Sequence, residues 1–547
     1  MCKFLTLLFC AAMLTVVAAS APAPAPDLIA QIHFAGAGQI SADTNAVAFT
    51  NLWCSPEAEA LREQTLNKLS HAPYRWLKSR IFSSTDDEAG LIKPLLDDLL
   101  SAEWFLQMRD TTNGSPELAL AIRLDAGRAR LWQTNLENIL ETWTTLSAEK
   151  NRDGWELQKH RPPNLIRFVR AGDWIVFGWG QDKLPLNDEL VRHAQTEKRP
   201  APVEQDWLTA DLDWPRLARW YPALSAIDLP ETQWHFAGCA GNLHLDGRLI
   251  FPQPLALNLE PWRMPTNTIH QPFISLTAVR GIAPWLAKQS RTQPYEISPA
   301  PNQMFIWALA GLPLQTFAAL PAPDGAAALK ELEQKLTATT NWQNNFILPI
   351  TMNATSNQIA WSGLPFVAPR LEAVHEPSGD FLFASVSPNS PRSKPLPPAL
   401  LAQFARSNLV YYHWEITAER LRLLPQLSQL ALMFTDRRQL DIQSAAGQWL
   451  NRVGPTLGSS LTEVTQTAPN ELSFTRTAPG GLTAVELTAL ANWLEAPNFP
   501  GCDLRLPPPN RRRSHAKTPV SAAAQTNTPS PAAQTNAPSP AVPAPPH

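Results

Sequence analysis

The feature that most constrains this chain is a recurring pattern: a short alternating strand, a small or polar turn, then a helix start. Leu28–Phe34 (LIAQIHF) is the first such strand. Trp207–Asp213 (WLTADLD) runs into Trp214-Pro215-Arg216, where Asp213 suits an N-cap and Pro215 is tolerated in the first turn. Phe273–Val279 (FISLTAV) leads into a helix expected to end near Lys288. Leu409–Ile416 (LVYYHWEI) leads into Thr417-Ala418-Glu419 and an apolar run to Leu432. Hairpin-like pairs lie between these units. Turns are expected at Ala171-Gly172-Asp173, at Asp246-Gly247 and at Pro469-Asn470. The pattern predicts an α+β fold of several strand–helix–strand–strand modules with mostly antiparallel sheets. Any repeat among the modules is architectural, because their sequences share little identity.

Helix signals support this plan. Ser55-Pro56-Glu57 opens one helix, and Thr85-Asp86-Asp87-Glu88 matches a capping box for a second, reaching about Gln107. Thr483-Ala484-Val485-Glu486 is another capping box, which predicts a helix over Leu482–Leu494. Met304–Leu320 is uncharged, but Pro313, Gln315 and Thr316 argue against a membrane span. It reads as a buried strand, a turn at Gly311–Pro313 and a short helix. With 44% hydrophobic residues, the body can bury real cores. Its length suits about three domains of ~150 residues, placed at 27–205, 206–370 and 371–502.

The ends differ in composition. Residues 1–20 carry Lys3, an uncharged apolar stretch from Phe4 to Ala19 and small residues at Ala18–Ala21, the plan of a secretory signal peptide. The alternation of Ala and Pro at 21–26 is an extended spacer. Beyond Pro507-Pro508-Pro509, Ala523–Pro531 (AAQTNTPSP) nearly repeats as Ala532–Pro540 (AAQTNAPSP), a composition that buries nothing. Residues 503–547 therefore read as a disordered, basic, Pro/Ala-rich tail. Arg511, Arg512, Arg513 and Lys517 offer weak attraction to an anionic envelope surface. The near-neutral whole, with a net charge of -3, gives no support to nucleic-acid binding.

Signatures of chemistry are few. Cys54, Cys239 and Cys502 of the mature chain show no metal or redox spacing and are expected to be buried small hydrophobes. The 20 Trp are spread along the chain and read as core filling. Gly36-Ala37-Gly38 lacks the third glycine of a dinucleotide loop and no helix is expected directly after it. Asp86, Asp87, Glu88, Asp97 and Asp98 fit helix capping better than a Ca²⁺ loop. No cofactor or metal is called for. Asn113-Gly114-Ser115 and Asn353-Ala354-Thr355 are glycosylation sequons. The most suggestive polar pair is His413 and Glu415, which share one face of an extended strand with Tyr411. Side by side they form a weak catalytic candidate, with no nucleophile identified beside them. His33 stands in a comparable place on the first strand, with Gln31 on its face.

The leader, Ala/Pro spacer, α+β modules and Pro-rich tail, with the closing phrase Ala478-Pro479-Gly480-Gly481-Leu482-Thr483-Ala484-Val485-Glu486-Leu487, resemble exported bacterial proteins of unknown function. That resemblance implies no activity. The expectation is an exported, periplasmic or surface protein, non-catalytic, binding or structural in the cell envelope. An exported hydrolase acting on carbohydrate through His413 and Glu415, and a carrier of lipid or another hydrophobic ligand, are the alternatives.

Overall fold

The computed structural model describes residues 28–501 apart from 78–87, 112–115, 145, 161–162, 182, 202–205, 221–228, 288–296, 311–314, 339–349, 365–366, 388–393 and 424–440. Its elements come in two runs with one plan. The first run begins with β1 (Leu28–Phe34), followed by a helical insertion that includes α1 (Pro56–Leu77) and α2 (Ala89–Ser101). Next come β2 (Trp104–Arg109), β3 (Glu117–Arg123) and α3 (Ala126–Thr144). A meander follows: β4 (Glu149–Lys150), β5 (Gly154–His160), β6 (Pro163–Ala171) and β7 (Trp174–Gly180). The run closes with α4 (Pro185–Thr196), β8 (Leu208–Asp213), α5 (Trp214–Trp220), β9 (Glu231–Cys239) and β10 (Asn242–Ile250).

The second run repeats this with a shorter insertion. It comprises β11 (Phe273–Arg280), β12 (Gln303–Leu309), β13 (Thr316–Ala322) and α6 (Gly325–Ala338). Its meander is β14 (Thr351–Thr355), β15 (Gln358–Ser362), β16 (Arg370–Glu376) and β17 (Gly379–Ser385). Then come α7 (Pro398–Gln403), β18 (Leu409–Ile416), helical turns over 417–423, α8 (Ala445–Val453), β19 (Ser459–Ala468), β20 (Glu471–Ala478) and α9 (Ala484–Glu495).

Strand pairing repeats too. The first half is ordered β4-β5-β6-β7-β3-β2-β1-β8-β9-β10, every pair antiparallel. The second is ordered β14-β15-β16-β17-β13-β12-β11-β18-β19-β20 in the same way. β10 then pairs antiparallel with β20, giving one sheet of 20 strands. Helix and strand are both present, as the sequence pattern implies, but this single sheet dominates the architecture. The seam has a local two-fold through the Asp246–Thr475 pair. Leu243 lies opposite Ala478 on one side of it, and Leu249 lies opposite Leu472 equally far on the other.

The two faces of the sheet are covered differently. On one face, α3 sits over Ile32, Leu106, Ile122 and Phe168, with Trp155 stacked on Phe168 at 5.6 Å. On that same face in the second half, α6 covers Leu320 and Leu382. α1, α8 and α9 pack together around Leu61, Trp449 and Leu487. On the opposite face, α4 covers Phe105, Ala121 and Val176. There α7 and residues 262–269 cover Phe305, Trp307, Phe317 and Phe383. Burying each such side chain contributes about 1.5–3 kcal/mol. No helix among the described residues is long and apolar enough to cross a membrane.

Several local expectations hold. Gly172-Asp173 and Pro469-Asn470 turn their hairpins. Asp213 Oδ1 accepts from the Arg216 amide at 2.9 Å, and the Thr483/Glu486 capping box is complete. Others do not. Asp246-Gly247 lies inside β10 and the turn falls at Ala240-Gly241, both at positive φ (50° and 80°). Gly247 is needed as strand, because it is paired with Trp234 on one side and Phe474 on the other. Thr316–Ala322 is a strand rather than a helix, held between β12 and β17. A six-residue helix (Ala37–Ala42) does open directly after Gly36, whose φ of 88° and close approach to the Ala102–Glu103 backbone suit glycine. Cys54 and Cys239 are exposed free thiols, not buried hydrophobes. Thr85–Asp87, Asn113, Cys502, the leader and the basic tail lie outside the described residues.

Candidate functional site

β18 alternates cleanly. Tyr412 enters the aromatic core with Phe404, while Tyr411, His413 and Glu415 point to the other face. Register brings polar neighbours beside them. His413 lies between Thr277 of β11 and Thr462 of β19, and Glu415 between Ser275 and Ser460. Arg476 of β20 stands across from Thr462. Short side chains on adjacent strands of one face meet directly, so the row becomes a connected network.

Glu415 is 1% exposed. Its Oε1 accepts from the Ala484 amide at 2.7 Å, at the start of α9, and from Thr417 Oγ1 at 3.0 Å. Thr417 also meets Ser460 at 2.7 Å, and His413 Nδ1 meets Thr277 Oγ1 at 2.8 Å. His413 Nε2 is 3.4 Å from Glu415 Oε2, but no hydrogen bond is aligned between them. Arg476 forms a bidentate pair with Glu486 at 2.8 and 2.9 Å and donates to Thr462 at 2.9 Å. That pair ties β20 to the first turn of α9.

His413 Nε2 and Glu415 Oε2 are buried and face each other, and Arg420 Nε, in the helical turns that follow β18, is buried without a hydrogen-bond partner among the described residues. Burial raises the Glu415 carboxyl, but His413, the Ala484 amide and Thr417 outweigh it and hold the group below its ordinary range. Burial depresses Arg420, partly opposed by Glu415. Burial pushes Tyr411 up to about 12, so its hydroxyl keeps its proton.

The first half shows what this fold needs at the same places. β8 ends at Asp213 where α5 begins, as β18 ends at Ile416 where its helical turns begin. Aligned on those ends, His413, Glu415 and Arg420 match Ala210, Leu212 and Leu217. These three are apolar and buried, in the core beneath α3. Across the strands, Thr277 and Ser275 match Ile32 and Ala30. The polar set is therefore particular to the second half.

His33 is not the counterpart of His413. The cross-strand row through His33, Thr209, His235, Asp246, Thr475, Glu463 and Tyr412 places it on the opposite face. There it stacks on Phe105 at 4.3 Å, with Nε2 3.4 Å from Glu103 Oε1. Glu103 also binds Arg199 at 2.7 Å. Of the acidic residues near α2, Asp98 holds Arg128 and Trp132, and Glu88 accepts from Trp143. A solvent-open cleft of about 340 Å³ near β1 and β8 is lined by Gln31, Asp211, Asp213, Arg216 and Glu231. In it Asp213 and Arg216 are paired with each other. Among the described residues no group of three His, Cys, Asp or Glu is arranged to hold a metal ion.

Sequence reasoning found His413 and Glu415 but missed Arg420, Arg476 and the hydroxyls. A signal existed in the period-two hydroxyls Ser275/Thr277, which face one side of the otherwise apolar stretch Phe273–Val279; Ser460/Thr462 repeat that spacing in a more polar strand. No known family model, curated protein or solved structure matches the chain.

Proposed function

We propose that this chain is an exported, non-catalytic binding protein of the cell envelope, whose ligand site is the polar set on β18. One observation carries this reading. The same fold, in the same chain, fills these positions with Ala210, Leu212 and Leu217 in one half and with His413, Glu415 and Arg420 in the other. Burying ionisable side chains costs free energy that the apolar set does not, so their retention calls for a purpose outside packing. Glu415, held ionised by a helix amide, suits a fixed acceptor better than an acid that must regain its proton.

The export part rests on the leader at 1–20 and the Ala/Pro spacer, and the envelope part on the basic tail. Cell fractionation with N-terminal sequencing tests the first: the mature chain should start near Ala19–Ala21 and lie outside the cytosol. Deleting 507–547 should release it from isolated envelopes at low salt, and unchanged partitioning removes the tether. The adjacency of His413 and Glu415 favours one second reading, an exported hydrolase of carbohydrate. Turnover of a glycoside by the full chain that vanishes in His413→Ala would establish it and overturn the non-catalytic reading.

A further inference from the structure

The solvent-open cleft beside β1 and β8 is built on one cross-strand row. Gln31 lies opposite Asp211, and Asp211 opposite Gln233, so the three side chains are neighbours on one face of the sheet. Gln107 and Arg248 extend the row at its two ends. The second half shows what the fold needs there. Aligned as before on the ends of β8 and β18, Gln107, Gln31, Asp211 and Gln233 match Trp307, Leu276, Trp414 and Leu461. Those four belong to the apolar core with Met264 and Ile269. The polar row is therefore particular to the first half, where it lines an open cleft.

The groups left over in this row define what the cleft can hold. Gln107 Nε2 donates to Gln31 Oε1 at 3.3 Å, and Arg248 Nη1 to Gln233 Oε1 at 3.4 Å. Each of these two glutamines keeps its amide nitrogen, a donor, without a partner among the described residues. Asp211 stands between them with carboxylate oxygens as acceptors. An anion would suit the amides but meet Asp211, Asp213 and Glu231, against one guanidinium, Arg216, which is paired with Asp213. An alkylammonium would suit the carboxylates but leave both amides unanswered. A hydroxyl accepts and donates, and so serves all three. Leu28, Ile29 and Leu212 line the same cleft and suit a carbon skeleton.

We infer that this cleft is a second binding site, for a small polyhydroxylated ligand without negative charge, of the sugar or polyol class, held by the amides of Gln31 and Gln233 and the carboxylate of Asp211. It goes beyond the reading of β18, because the cleft lies in the other half of the chain and on the other face of the sheet.

Calorimetry on the full chain tests it, with glucose and myo-inositol as neutral probes, glucuronate as the anion and ethylammonium as a cation without hydroxyls. At least one neutral probe should bind, and at least tenfold more tightly than glucuronate or ethylammonium. Gln31→Leu and Gln233→Leu install the residues that the second half carries at these places. Each should weaken binding tenfold or more without lowering the melting temperature. Failure of both neutral probes to bind overturns the inference, as does tighter binding of glucuronate or ethylammonium. Binding that is kept in both leucine variants but lost in His413→Ala would put the ligand on β18 and overturn this site while leaving that one standing. Unfolding of both leucine variants would show the row to be structural and overturn it too.

Discussion

Replacing Glu415 tests how the second half holds its last helix. In Glu415→Ala the Ala484 amide loses its acceptor inside the protein, which costs about 1–3 kcal/mol. Thr417 keeps Ser460 as a partner, so its loss is small. His413, whose Nε2 is 3.4 Å from the missing carboxylate oxygen, loses its opposing partner as well, which adds to the cost. Together these give a loss of about 3 kcal/mol. Glu415→Gln retains an oxygen for the Ala484 amide and forfeits only the charge, a loss of about 1 kcal/mol. The sign with pH follows from the depressed carboxyl: its contribution is present above the unfolded value and is lost as pH falls through the lower folded value. The difference between wild type and Gln should therefore be full at pH 7 and shrink in acid. Urea unfolding at both pH values measures it, and hydrogen exchange at Ala484–Leu487 locates it. An Ala variant no less stable than the Gln variant, with α9 amides equally protected, would refute the capping role.

Three further outcomes follow. Burial pushes Glu117 up to about 6 despite the Leu186 and Asn187 amides, so the folded state holds its proton more tightly than the unfolded one. Stability from this group is therefore lost as pH rises from about 4.5 to about 6, and Glu117→Gln should gain about 2 kcal/mol at pH 8 with little change at pH 4, by urea unfolding. Trp307→Ala, at 2% exposure between Phe317 and Phe383, should lose about 3–5 kcal/mol in the same assay. Cys54 and Cys239 should react with a thiol reagent in the native protein, and Cys→Ser at each should remove one rapid equivalent.

What the sequence revealed was local. The Thr483 box, the Asp213 cap and the turns at Gly172 and Asn470 are decided within a few residues, and each is where its pattern places it. Asp246-Gly247 misled because a favoured turn dipeptide is only a local preference, overridden when β9 and β20 both pair with the strand it sits in. Thr316–Ala322 misled because a short apolar run fits either a helix or a buried strand, and its partner β17 is far away in sequence. The site was half legible for the same reason. His413 and Glu415 stand two apart on one strand, while Thr277, Ser460 and Arg476 join them only through long-range register.

The seam explains why a one-sided site is possible. In a symmetric pair of identical chains, a core position changed to arginine changes twice, and both copies bear the desolvation cost. Here the two halves share a sheet and a local two-fold but are separate stretches of one chain, so their cores vary independently. The first half keeps an apolar core at Ala210, Leu212 and Leu217, and its turn after β10 leads to no helix like α9. The second half adds α9, needs a buried acceptor to seat it, and uses Glu415. Once that carboxylate is present its second oxygen lies 3.4 Å from His413 Nε2, in a row completed by the hydroxyls of β11 and β19. Helix seating alone accounts for Glu415 Oε1 and for Arg476 with Glu486, but not for His413 and Arg420, which stand where the first half carries Ala210 and Leu217, and it is those two side chains that separate a structural cap from a binding site.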